Sequence, residues 1–436
     1  MQLPDDFIQL VRPVFGEERF ARFLQALSEE TPVSIRMNPS KIGERREENE
    51  ERKVESGEWR AEKGESIPWC RNAFYLSARP NFTFDPLLHA GCYYVQEASS
   101  MFLDEVLRQH LTAFTSDKRL QTTDSCPLMC LDLCAAPGGK STLMRSALPN
   151  GSVLYSNEPN RKRASILLEN VTKWGYDKHI VTNCYPKDYK KSKLRFDVIL
   201  CDVPCSGEGM FRKDPNSIKE WSLQHVQQCQ QLQRDIVSNA WQCLVPGGLF
   251  IYSTCTYNTR EDEENVRWMI KELDAEPLPV HTEAEWGITG SLLEGFTAPV
   301  YRFIPGYTKG EGLFMAVMRK KGEWKAPLSP LTSHLSHFPS PLSPLTSPLS
   351  SLTSYLSPLT SPNVPLSYPQ AIAYLRGEAI VLPPGTPRGI VTVAFKGHPL
   401  GEVKNIGNRA NNLYPKEWRI KSTHVPDEYQ PVLPIV

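Results

Sequence analysis

The chain has 436 residues, 40% hydrophobic and 22% charged, which is ordinary for a soluble protein and long enough for two or three cores. Its 49 basic and 49 acidic residues cancel to a formal net charge of zero, so a nucleic-acid partner must be met by a local basic face. No apolar run approaches the ~20 residues of a membrane helix, and Met1–Phe15 lacks a basic-then-apolar signal pattern. Eleven scattered cysteines predict free thiols in a reducing, cytoplasmic setting, and the close spacings at Cys126, Cys130, Cys134, Cys201 and Cys205 match no metal site.

Phe7, Ile8, Leu10 and Val11, then Phe20, Phe23, Leu24 and Leu27, recur at helical spacing and predict two short helices. Val33–Pro39 alternates like a strand and stops at proline. Lys41–Glu65 is almost wholly charged, with both signs mixed, and reads as a solvated loop. Trp69–Tyr75 and Tyr93–Gln96 predict strands, Glu97–His110 a helix, and residues 111–127 a polar loop.

From Leu128 to about Arg319 strand and helix patterns alternate, the signature of a parallel α/β sheet. Strands are expected at Met129–Leu133, Ser152–Tyr155, Ile180–Thr182, Phe196–Cys201 and Leu249–Ser253, with Leu313–Val317 the last. Helices are expected at Ser141–Leu148, Arg161–Trp174 and Leu223–Cys243, the last stopped by Pro246-Gly247-Gly248. Thr259-Arg260-Glu261-Asp262 fits a capping box, leaving Cys255 on the loop between a strand and a helix.

Residues 327–367 repeat Pro-Leu-Ser-Pro-Leu-Thr-Ser and are expected to be an extended, mobile linker without a core. Tyr368–Val436 reads as a small β-rich module with strands at Ile390–Phe395 and Gly401–Lys404. There Lys396, Lys404, Arg409, Lys416, Arg419 and Lys421 interleave with Phe395, Tyr414 and Trp418. Basic plus aromatic suits RNA, and the same aromatics would equally serve a core under ordinary surface charge. The expected domains are therefore 1–127, 128–322 and 368–436, with a linker at 323–367.

The chemistry gathers at strand ends. Cys134-Ala135-Ala136-Pro137-Gly138-Gly139-Lys140 opens a strand into a glycine turn, yet lacks the first glycine of a phosphate loop. Glu158, just past the second strand, is placed to accept from two ribose hydroxyls. Ribose recognition without a phosphate cradle points to S-adenosylmethionine. Asp202-Val203-Pro204-Cys205 and Ser253-Thr254-Cys255-Thr256 end two further strands in thiols at the ligand face. A thiolate beside that cofactor suits methylation of cytosine carbon 5, which becomes nucleophilic only after addition at carbon 6. A carboxylate such as Asp202, sharing a proton with ring N3, would assist the addition.

Cys134–Lys140, Asp202–Gly209 and Ser253–Thr256 resemble three motifs of the Nop/Sun RNA (cytosine-5) methyltransferases. Arg212-Lys213-Asp214-Pro215, Ile67–Cys70 and Tyr94–Met101 resemble the RsmF-like ribosomal RNA branch. The resemblance spans Val33–Lys320 and, more weakly, the C-terminal module. It implies a Rossmann-like methyltransferase sheet, an N-terminal α+β RNA-binding region and a PUA-like C-terminal module. It implies Cys255 as nucleophile, Cys205 in product release, and Cys134–Lys140, Glu158 and Asp202 around the cofactor or base. The family's acid for the adenine side aligns with Tyr185, with Asp188 nearby. The expected activity is methyl transfer from S-adenosylmethionine to RNA, most simply small-subunit ribosomal RNA, by a monomer with no membrane partner. Transfer RNA as substrate, or a catalytically inactive ribosome-assembly factor, are the alternatives.

Overall fold

In the computed structural model, which describes residues 2–42, 64–115, 126–325, 363–422, 424–426 and 428–433, three sheets carry the architecture. The chain opens with α1 (Asp5–Phe15) and α2 (Glu17–Leu27), both as expected. β1 (Val33–Met37), α3 (Pro39–Ile42), β2 (Gly64–Ser66), β3 (Ala73–Leu76), α4 (Pro86–His89) and β4 (Tyr93–Val95) follow. Their strands form an antiparallel sheet in the order β2-β3-β1-β4. The strand expected from Trp69 begins only at Ala73, because Trp69 sits in a turn with its indole nitrogen donating to Ala98 O (2.8 Å). The charged loop expected at Lys41–Glu65 lies mostly outside the described residues.

α5 (Phe102–Thr115) leads to β5 (Met129–Asp132), α6 (Gly139–Ala147), β6 (Val153–Asn157), α7 (Arg161–Trp174), β7 (His179–Thr182) and α8 (Pro186–Ser192). β8 (Phe196–Asp202), α9 (Pro215–Glu220), α10 (Leu223–Cys243), β9 (Leu244–Thr254) and α11 (Glu263–Glu272) complete the parallel part. β10 (Ala275–Pro277), β11 (Tyr301–Phe303) and β12 (Leu313–Lys320) finish the sheet, whose order is β10-β12-β9-β8-β5-β6-β7 with β11 on β12. β9 through β7 are parallel, whereas β12 runs antiparallel to β9, β10 and β11. The strand order reverses between β5 and β8, which is where such sheets open a ligand crevice.

Two local expectations are corrected here. α10 ends at Cys243, but β9 starts at Leu244 and runs through Pro246-Gly247-Gly248. That glycine pair is an irregularity in the β8–β9 pairing between Phe196 and Val198, where a Cβ on Gly248 would strike Asp197 O at 3.0 Å. The helix expected at Ser141 begins two residues earlier at Gly139, directly on the glycine turn.

The C-terminal sheet is β13 (Val364–Pro365), β14 (Gly389–Phe395), β15 (His398–Asn405) and β16 (Ala410–Asn412), with β13 parallel to β14 and the rest antiparallel. Val364 to Ser367, expected to belong to the linker, are instead a strand and the cap of helix Tyr368–Leu375. Phe395 and Tyr414 are buried core, so the core reading of those aromatics holds. Trp418 is half-buried, with the Lys173 ammonium 5.4 Å from its ring centroid.

This module has no separate core. Ile35, Phe84, Leu87 and Tyr93 of the N-terminal sheet pack in one cluster with Val364, Ile372, Leu375, Val393 and Leu400. Tyr93 and Tyr429 hydroxyls both donate to the buried Asp85 carboxylate, at 2.8 and 3.2 Å. Apolar area buried between two such elements stabilises their contact at roughly 25 cal/mol per Å². A protein cleaved at a protease site engineered between Leu345 and Thr346 should therefore still elute as a single species on gel filtration. Two separate peaks would show that the shared core does not hold the halves together.

Candidate active site

Parallel pairing brings the carboxyl ends of β5, β8 and β9 to one edge. Leu133 N donates to Leu200 O (3.0 Å) and Val203 N to Ser253 O (3.0 Å), so the ladder continues one residue past each strand. From Leu133 the chain turns through Cys134, Ala135 and Ala136, and a cis peptide joins Ala136 to Pro137. Gly138 follows with φ of 116°, a left-handed conformation that strains any L side chain, and an added Cβ would lie 3.2 Å from Leu167. Gly139 comes against Tyr94 and Gln96, where a Cβ would meet atoms at 3.4 and 3.5 Å. Burial, with Asp132, Asp202 and Glu158 nearby, pushes the Cys134 thiol well up, which keeps it inert.

Glu158 is 3% exposed beyond the end of β6. Its Oε1 accepts from Asn160 N (2.8 Å), and its Oε2 has Arg163 Nη1 at 3.4 Å, leaving acceptor capacity toward the crevice. A glycine turn that admits close approach, followed by a buried acid on the next strand, fits a ribose and its base. Tyr185 lies on the same edge as the cap residue of α8, but its side chain is 61% exposed. Asp188 is committed to that cap, with its Oδ2 accepting from Tyr185 N (3.1 Å). Neither is drawn in against the glycine turn. Asn157, which sequence reasoning passed over, is fully buried and donates to Leu133 O (3.1 Å) and Cys184 O (2.9 Å), tying the turn to the β7 loop. Its position as the last residue of a strand was the available signal.

Cys205 Sγ and Cys255 Sγ stand 3.2 Å apart. The hydrogen bond between the sulfurs, together with burial, pushes the Cys205 thiol well up, so Cys205 keeps its proton. Asp202 bridges, its Oδ1 accepting from Ser253 Oγ (2.7 Å) and its Oδ2 pairing with Lys140 Nζ (2.8 Å). Burial works against the Lys140 charge, but Asp202, Cys255 and Asp132 more than offset it and raise its pKa. Lys140, expected only to hold cofactor, thus also supplies positive charge beside the paired sulfurs.

The capping box expected at Thr259–Asp262 does not form. Asp262 precedes α11, but its Oδ1 accepts from Thr254 Oγ1 (2.6 Å) and Thr256 Oγ1 (2.9 Å) instead of a helix amide. Its Oδ2 lies 3.1 Å from Nη2 of the buried Arg302, which also donates Nε to Glu263 Oε1 (2.7 Å) and Nη1 to Tyr257 O (3.0 Å). Buried charges satisfied by hydrogen bonds outbid a surface cap.

A Rossmann-like sheet with a glycine turn, a buried acid past the next strand and paired thiols at one edge defines an S-adenosylmethionine-dependent RNA methyltransferase. The chain belongs to the 16S rRNA methyltransferase RsmB/F family, whose model matches residues 120–319. Models of the N-terminal domain of 16S rRNA methyltransferase RsmF and of the methyltransferase RsmF PUA domain match residues 3–98 and 361–420. The ribosomal RNA small subunit methyltransferase F of Vibrio cholerae is 31% identical over 351 residues, which cover 78% of this chain and 68% of that protein. That of Pectobacterium carotovorum is 31% identical over 331 residues, 73% of this chain and 63% of that protein. The fold matches NSun6 from Pyrococcus horikoshii with SFG, at 18% identity and a TM-score of 0.55, over 73% of this chain and 99% of that one.

Beneath the turn, Asp132 is fully buried and Ser141 Oγ donates to its Oδ2 (2.5 Å). Burial first, with Asp202 nearby, pushes its pKa from 3.8 up to about 7. Across that window the folded chain holds a proton that the unfolded chain has released, so this group's contribution to stability falls as pH rises. Asp132→Asn removes the dependence. Its melting temperature should gain on that of the unsubstituted protein between pH 5 and 8, by thermal denaturation at about one-unit steps. A constant difference across the range would contradict the raised pKa.

Proposed function

We propose that the chain methylates carbon 5 of a cytosine in small-subunit ribosomal RNA through a covalent Cys255 adduct. The observation that carries this reading is the pair of thiols 3.2 Å apart at the cofactor edge of the sheet. Family membership and the matches to two RsmF-specific modules favour ribosomal RNA as the substrate.

Cys255 acts as the thiolate, with the Cys205 thiol donating to its sulfur and Lys140 charged nearby. Its sulfur bonds to ring carbon 6, and the electrons of the 5,6 double bond move toward carbon 5 as N3 takes a proton. The Asp202–Lys140 pair supports holding that proton, a carboxylate and an ammonium sharing one site. S-adenosylmethionine, when bound, supplies the methyl group that carbon 5 attacks. Cys134, Ala135, Ala136, Pro137, Gly138, Gly139 and Lys140 would hold it, with Glu158 accepting from the ribose and Asp202 at its border. Once the Cys255 sulfur is bonded to carbon, the largest cause of the raised Cys205 pKa is gone. Cys205 then gives its proton to solvent and takes the carbon 5 proton, N3 returns its proton to the Asp202–Lys140 pair, the 5,6 double bond reforms, and Cys255 leaves as thiolate.

The two cysteines separate cleanly in this scheme. Cys255→Ala should abolish methyl transfer and leave no protein–RNA adduct. Cys205→Ala should attack and methylate once, then stall as an adduct that survives denaturing gel electrophoresis. The swapped pattern would reverse the roles, and normal turnover in both variants would refute covalent catalysis.

Glu158→Ala should weaken cofactor binding by about 1.5–3 kcal/mol, the worth of hydrogen bonds to a charged group, without lowering the melting temperature by more than a few degrees. Isothermal calorimetry with S-adenosylmethionine reads the loss. Unchanged affinity would remove Glu158 from the cofactor site.

A further inference from the structure

Two fully buried carboxylates lie behind the sulfurs, and the chemistry above uses neither. Glu208 follows Cys205 by three residues, and Glu261 follows Cys255 by six. Among the described residues neither has an ion-pair partner, yet each is saturated with donors, and the donors cross over.

Glu208 belongs to the Cys205 loop but is gripped by the Cys255 loop. Its Oε2 accepts from Tyr257 N (2.6 Å) and Asn258 N (3.1 Å). Its Oε1 accepts from Asn258 Nδ2 (2.8 Å) and Trp221 Nε1 (3.0 Å). Glu261 belongs to the Cys255 loop but is gripped by the residue after Cys205. Its Oε2 accepts from Ser206 N (3.0 Å) and its Oε1 from Ser206 Oγ (2.5 Å). Gln233 Nε2 donates to Glu261 Oε2 (2.7 Å) and to Pro204 O (2.9 Å), so α10 holds the same turn. The Asn258 side chain joins the two acids, donating to Glu208 and, at 2.9 Å, to Glu261 Oε1. One direct backbone bond closes the brace, from Gly209 N to Cys255 O (2.7 Å).

A buried carboxylate that loses its donors bears the full cost of an unsolvated charge, so these loops cannot drift apart a little at a time. Between them the acids fix five backbone or side-chain groups within three residues of a reacting sulfur. We propose that Glu208 and Glu261 are positioning residues that set the separation of Cys205 and Cys255 for the hand-over between addition and release. The proposal rests on Cys255 as nucleophile and Cys205 as the releasing group. It goes beyond that reading by assigning the spacing between them to a reciprocal pair of fully buried acids. Burial and the neighbouring Glu261 push the Glu208 pKa up to about 7.

Glu208→Gln and Glu261→Gln test it, since each amide keeps the shape and turns one acceptor into a donor facing donors. Turnover on RNA should fall about 10–100-fold, the scale of a 1 Å misplacement, while affinities for S-adenosylmethionine and RNA stay within about twofold. A second readout needs no RNA. Dibromobimane bridges two thiols only when they are neighbours, and peptide mass spectrometry locates the bridge. The yield of the Cys205–Cys255 bridge should drop at least about threefold in each variant relative to the unsubstituted protein. If a Gln variant fails to fold, Asn258→Ala keeps both acids and removes only the amide that joins them, and should show the same two losses at a smaller scale. Full turnover and full bridging in folded variants would overturn the proposal. Unsubstituted protein that bridges its thiols but methylates no RNA would instead overturn the assigned reaction, and loss of bridging in the variants would still support the brace.

Discussion

The constraint on which this molecule depends is that β5, β8 and β9 are parallel neighbours. Parallel strands end on the same side, so whatever follows each strand meets at one edge. Three different connections follow here: a glycine turn, a proline turn with a thiol, and a thiol on an open loop. The Leu133 and Val203 amides carry the ladder one step past the strands, which leaves the loops no slack before their functional residues. Antiparallel β12 seals the far side of β9 and so lets that strand be buried on both edges.

The edge so formed is dense in charge, and its charges are managed by donors more than by ion pairs. Lys140 and Asp202 neutralise each other at the mouth, while Arg302 is buried against Asp262 and Glu263 at the back. Between these lie Glu208 and Glu261, held by amides, a hydroxyl and an indole rather than by cations. The N-terminal helices close this region from outside. The ring of Phe7 meets Phe211 at 5.1 Å and Phe23 meets Tyr257 at 4.9 Å, so α1 and α2 pack on the loops that carry the acids. Arg212 adds a buried pair with Glu311 while donating to Ala26 O (2.7 Å) at the end of α2. Helices that read as a simple amphipathic pair are therefore part of what buries the loops behind the sulfurs.

Much of this was legible in the residues, and the part that was not has a common cause. β5, β8 and α10 stood out because an apolar run or a helical stripe was bounded by glycine or proline. The cap of α10, Ser222 accepting from His225 N (3.1 Å), shows only in the structure. β10 and β11 were invisible because three-residue strands have too short a period to register. The acids at 208 and 261 were invisible for another reason. In sequence, Glu208 sits between two glycines in what reads as a solvated loop, and Glu261 sits inside an apparent capping box. Their partners come from residues about 50 positions away, and no local pattern records a donor supplied by a distant loop. Tyr185 shows the converse. A motif position suggested a contact with cofactor, but the local cap formed with Asp188 sets the backbone and leaves the ring in solvent.

The same logic extends from the thiols to the other modules through one side chain. Arg36 stands on β1 of the N-terminal sheet, is 3% exposed, and has no ion-pair partner among the described residues. Its Nη2 donates to Thr142 Oγ1 (2.6 Å) and Gly139 O (3.2 Å) on the helix that opens the cofactor turn, and its Nε donates to Gln96 Oε1 (2.9 Å). Its guanidinium lies 4.4 Å from the Trp174 ring centroid, and burial lowers its pKa to about 10. Two residues on, Asn38 Nδ2 donates to Gly91 O (2.9 Å) and Trp174 O (2.8 Å). Because the N-terminal sheet shares its core with the C-terminal module, both are fastened to the cofactor turn through β1. A charged donor stripped of such partners in the interior costs on the order of 1.5–3 kcal/mol per bond. The two outer modules and the glycine turn are therefore joined through one shared core and one buried set of hydrogen bonds.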